Sequence, residues 1–203
     1  GYGLTVEAGS GDVNVDAIGQ NTAIGALDID ATGTTTLNGN ITASSIALDG
    51  ATDVELATTD ITLDTSAANG QVDINGGAID SAFGYGLTVE AGSGDVNVDA
   101  MGQNSPMGFI EINSTGVTTL NDNISAFDIE FNPLGGNANI QLESNAITLS
   151  TESFGGFVYI DGTINSPSGQ DLTINAGDGD IDIFGAIGQS NALGAFEINN
   201  TGR

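Results

Sequence analysis

The stretch Gly1-Tyr2-Gly3-Leu4-Thr5-Val6-Glu7-Ala8-Gly9-Ser10-Gly11-Asp12-Val13-Asn14-Val15-Asp16-Ala17 returns letter for letter at Gly84 to Ala100. A chain that repeats itself at a fixed period is an array of stacked units before it is anything else. Beyond the identical segment the copies stay in step, with Gly19-Gln20-Asn21 answered by Gly102-Gln103-Asn104 and Ile61-Thr62-Leu63 by Ile147-Thr148-Leu149. A third copy opens at Asp171-Leu172-Thr173-Ile174. The long repeat of 83 to 86 residues divides the chain into 1–83, 84–168 and a partial 169–203, read as one continuous rod without a linker.

Inside each repeat, apolar residues alternate over three to five positions and are punctuated by Gly, Asn, Asp and Ser, the pattern of short half-buried strands. One series runs Leu4-Thr5-Val6, Leu27-Asp28-Ile29, Ile46-Ala47-Leu48, Ile61-Thr62-Leu63, Leu87-Thr88-Val89. It continues through Ile110, Ile129, Ile147, Leu172 and Phe196, and a second series follows each member by about nine residues, beginning Val13-Asn14-Val15, Thr35-Thr36-Leu37, Val54-Glu55-Leu56. A weaker third falls at Ile41, Ile79, Ile124 and Ile164. Stacked, these predict an all-β parallel solenoid of about nine to ten coils, four to each long repeat, about 45 Å in length at one strand spacing per coil. A string of immunoglobulin-like sandwiches is the competing architecture at this repeat length. It calls for about seven longer strands and a large buried aromatic, whereas these strands are very short and Trp is absent.

Composition narrows the function. There are 27 acidic residues, a single Arg at position 203, no Lys and no His, for a formal charge of −26. Grip on nucleic acid or on an anionic membrane needs clustered Lys or Arg, so neither is expected, and the chain calls for a cationic partner. No apolar run reaches membrane-spanning length. Without His, Cys or Lys there is no imidazole-based or thiol-based nucleophile and no Lys nucleophile, which argues for a protein that is not an enzyme.

Segments such as Leu87-Thr88-Val89-Glu90-Ala91-Gly92-Ser93-Gly94-Asp95-Val96-Asn97-Val98-Asp99 and Ile61-Thr62-Leu63-Asp64-Thr65-Ser66-Ala67-Ala68-Asn69-Gly70-Gln71-Val72-Asp73-Ile74 resemble the repeats of large secreted bacterial surface proteins similar to filamentous haemagglutinin. The resemblance covers essentially the whole chain. It implies a right-handed β-helix serving as the shaft of an extracellular adhesin or filament at the cell surface, stacked end to end on flanking repeats or on copies of itself.

Two other readings rest on carboxylates. Aligned on the first strand series, the residues Glu7, Asp30, Asp49, Asp64 and Glu90 form five acidic positions in succession, about 5 Å apart in a stacked rod. Like charges at that spacing repel by up to about 1 kcal/mol per pair in water, and bound calcium would relieve them; hydration at the strand ends is the plainer alternative. The column continues as Asn113, Asn132, Ser150, Asn175 and Asn199. The second reading is a carbohydrate-active β-helix working through paired Asp, with Asp180 and Asp182 on one strand face near Tyr159 and Phe184. Pectate-lyase chemistry has only Arg203 to call on as a basic group. The outward series Thr5, Asp28, Ala47, Thr62, Thr88, Glu111, Glu130 is too broken by charge for an ice-binding face, and Asn-x-Ser/Thr occurs at Asn40, Asn113, Asn123 and Asn199. A carbohydrate surface stands beside a cationic one as a possible target.

Overall fold

Every strand turns its alternate apolar residues inward, and what differs from strand to strand is which of three faces they line. The computed structural model describes residues 1–131, 137–144 and 146–201. They form an all-β parallel solenoid of about eight turns, without a helix long and apolar enough to cross a membrane. One face stacks Leu4, Leu27, Ile46, Val72, Val96, Thr118, Ile140 and Ile164 in parallel register. A second stacks Val13, Thr35, Val54, Ile79, Met101, Ile124 and Leu149, then Ile174 and Ile198. The third stacks Ile18, Ile41, Leu63, Val89, Ile112, Phe131, Ile160 and Ile183. Successive visits to the first face lie 19 to 26 residues apart.

The inward residues make one thin core along the whole rod. Leu63, Val89, Ile110, Phe131 and Ile160 are each fully buried, and each rests on like residues in the coils above and below, so stability is a sum of neighbouring interfaces. In the first and last described coils Leu4, Phe196 and Ile198 are between 41% and 47% exposed.

The expectation of nine to ten coils, four to a repeat, needs correction. Ile61 follows Ile46 by only 15 residues, too few to pass three faces when every complete turn takes at least 19. The strand Ile61–Asp64 therefore sits on the third face, and the partner of Ile46 one coil on is Val72. From Leu4 the chain makes three full turns to Val72, then crosses the second face at Ile79 before reaching Leu87 on the third. One long repeat thus spans three and two-thirds turns. The next copy is displaced in the same sense, because Leu172 pairs with Ile147 on the second face. The motif, identical in two copies and varied in the third, visits all three faces in turn.

Its local structure travels with it unchanged. Gly9, Gly92 and Gly177 all adopt positive φ, at 56°, 62° and 60°, which glycine alone takes up without steric cost. Two residues on, the amides of Gly11, Gly94 and Gly179 donate to the carbonyls of Ala8, Ala91 and Ala176 at 3.0, 2.9 and 2.8 Å. Thr32, Thr115 and Thr201 in the following coil each donate their hydroxyl to the carbonyl of that same glycine. Asp12 and Asp95 accept the amides of Thr34 and Val117 at 2.9 and 2.8 Å. A corner in this rod is a property of the local sequence; the face it falls on is a property of the residue count before it.

Candidate functional site

The phase shift divides the expected acidic column. Glu7, Asp30 and Asp49 do stack on the first face, but the position after Asp49 is Asn75. Asp64 stands on the third face beneath Thr42 and is followed by Glu90 and Asn113. The column of five is therefore a run of three and a separate run of two. The later members also separate: Ser150, Asn175 and Asn199 lie on the second face, and Asn132 lies outside the described residues, as does Arg203. The outward series divides likewise, into Thr5, Asp28, Ala47, Asp73 on the first face and Thr62, Thr88, Glu111, Glu130 on the third.

On the first face this division gathers Asp28 and Asp73 beside Asp30 and Asp49. Burial pushes the Asp49 carboxyl above its ordinary range, and the charges of Asp73, Asp28 and Asp30 push the same way, against a hydrogen bond from Asn75. Asn97 closes the patch by donating to Asp73 at 2.9 Å and to Asn75 at 3.1 Å, while Asn121 donates to Asn97 at 2.7 Å. This amide ladder replaces carboxylates with self-complementary groups as the rod proceeds.

At the corner beyond the third face, Asn113 donates to Glu90 at 3.0 Å and to Glu111 at 2.9 Å. Burial holds Glu90 above the usual carboxylate range; the charges of Glu111 and Asp64 add to that, and the Asn113 amide opposes it. A shallow cleft of about 250 Å³ opens here, lined in part by Ser66, Asn69, Glu90, Ser93 and Thr115. Asp64 does not face into a shared carboxylate cage: its Oδ1 accepts the amide and hydroxyl of Ser66 at 2.9 and 2.7 Å. Among the described residues no three carboxylates converge in a group able to hold a metal ion.

Asp180 precedes the strand Ile181–Ile183 and Asp182 lies within it, both exposed. Tyr159 is the register partner of Asp182, and its ring stands 5.5 Å from that of Phe184. The paired Asp and the two aromatics named from the sequence do meet on one surface. The cleft at the Glu90 corner lies elsewhere and includes none of these residues. Sequence reasoning missed Glu130 as the neighbour of Tyr159, with Glu111 one coil beyond it. Their signal was the coil length, which assigns faces.

Fold and surface together define a parallel β-solenoid with an acidic exterior. No family model, no curated protein and no solved structure matches the chain.

Proposed function

We propose that the chain is a non-catalytic shaft segment of a secreted cell-surface adhesin or extracellular filament. The observation that carries this reading is the unbroken inward stack on all three faces, which makes a rod that extends by adding coils. Polar ladders on the outside keep successive coils in register, and the 27 acidic residues keep neighbouring rods soluble and apart. Lys is absent and Arg occurs only at position 203, so trypsin-type proteases find no site within the shaft. The exposure of Asp180 and Asp182 and the division of the carboxylate column into runs of three and two favour this reading over a carbohydrate-active or calcium-loaded one.

Antibodies raised against the folded chain test the reading on intact cells of the source. Surface labelling, removed by shaving with a protease of broad specificity, is the expected result. Labelling seen only after permeabilisation would overturn it.

A further inference from the structure

The aromatic side chains are not scattered over the rod. Of the 11 Phe and Tyr residues, Phe131 is in the core and Tyr2 and Phe196 belong to the end coils. The other eight lie on the third face or on the corner that leads into it. They include three ring pairs: Phe83 with Tyr85 at 6.1 Å, Phe127 with Phe154 at 5.8 Å, and Tyr159 with Phe184 at 5.5 Å. Phe157 stands two residues before Tyr159, just ahead of its strand, and the ring of Phe109 lies against Gly86, where an added Cβ would meet it at 2.3 Å. The strip follows five successive coils, from Leu87 through Ile110, Ile129 and Val158 to Ile181, or about 19 Å of rod. Five of its Phe rings are solvent-exposed, Phe83 at 75% and Phe184 at 62% the most so.

Carboxylates are interleaved with these rings by the register of the strands. Glu111 faces Glu130, Glu130 faces Tyr159, and Tyr159 faces Asp182. Asp128 is the register partner of Phe109 and accepts the amide of Phe157 at 3.0 Å. Glu111 and Glu130 are like charges directly opposite one another, which destabilises a sheet, and no basic side chain among the described residues stands against them. A neutral ligand would leave that repulsion in place. A guanidinium relieves it: its plane stacks on an aromatic face while its N–H groups bond a carboxylate in bidentate fashion.

We propose that this aromatic and acidic strip is a docking surface for an arginine-rich, extended segment of a partner protein. The charge complementarity and the alternation of ring and carboxylate along the rod select this occupant over a neutral glycan, which uses the rings alone. The surface is independent of whether the rod is a shaft.

Fluorescence anisotropy with a labelled peptide of alternating Arg and Gly, at about physiological ionic strength, is the measurement. Saturable binding is expected, stronger for Arg than for a Lys analogue of the same charge because Lys lacks the planar fork. The double substitution Tyr159→Ala and Phe184→Ala should weaken it by about tenfold or more, and Glu130→Gln should weaken it independently. Asp28→Asn, on the first face, should leave it unchanged beyond the loss of one general charge. Equal affinity in the wild type and in both strip variants would reduce the interaction to unspecific attraction by net charge and overturn the proposal. So would quenching of tyrosine fluorescence by a neutral oligosaccharide such as cellohexaose combined with failure of the Arg peptide to bind.

Discussion

Glu130 stands opposite Glu111 with Asp128 close by, and its carboxyl is pushed up first by burial and then by those two charges. Asp49 and Glu90 are raised as well. The direction of the pH effect follows. A carboxyl whose folded value lies above its unfolded value takes up a proton more readily in the native state, so between the two values the native state binds more protons. Stability then falls as pH rises through that window and is recovered on acidification. Thermal midpoints followed by circular dichroism should rise as pH is lowered from neutral toward the ordinary carboxylate range, the reverse of a protein whose acids are ion-paired. Glu130→Gln should raise the midpoint at neutral pH and flatten this dependence. A midpoint that falls steadily on acidification over the same range would contradict the burial argument. Chelation, at matched ionic strength, should leave the midpoint where it is, since no described trio of carboxylates converges; a large drop would restore calcium to the account.

At the scale of the strand and its corner, the core and the turns fail differently. Leu63 is fully buried between coils, and Leu63→Ala should cost about 2 to 5 kcal/mol, depending on how far the neighbouring coils close on the cavity. Gly92 has positive φ, and a Cβ there would lie 2.5 Å from Asn69 Oδ1; Gly92→Ala should cost about 1 kcal/mol or more through backbone strain. Urea titration of both variants checks the order. The alternation that names the inward residues is a period of two, and it is legible in the amino-acid order from Val6 to Ile198. The corner chemistry was equally open to reading, because Ala-Gly-Ser-Gly-Asp in the first two copies and Ala-Gly-Asp-Gly-Asp in the third make the same turn wherever they occur. Alternation is silent on the face that each strand joins, so it sets Asp49 and Asp64 in one column when they occupy two.

Over the whole rod, the consequence is a repeat that does not close on itself. Residues 83 positions apart, such as Thr5 and Thr88, share sequence and local structure but look out from different faces. Cross-linking discriminates the two arrangements. Ala47 is the register partner of Asp73, within disulfide reach for adjacent strands, so A47C/D73C should oxidise to an internal bridge. The pair A47C/T62C, which a four-coil repeat would bring together, should not. The reverse outcome would reinstate the simple succession of strands.

Net charge, the absent His, Cys and Lys, the inward pattern and the Gly9, Gly92 and Gly177 corners all follow from residue identity and near neighbours, so the amino-acid order alone specified a parallel solenoid with an acidic, imidazole-free exterior. Which side chains meet across coils is another matter. It depends on the number of residues consumed by every preceding turn, and a shortfall of a few residues, as between Ile46 and Ile61, moves all that follows by one face. That accumulated phase, which no local pattern records, splits the carboxylate column and gathers the aromatic rings beside Glu111, Glu130 and Asp182.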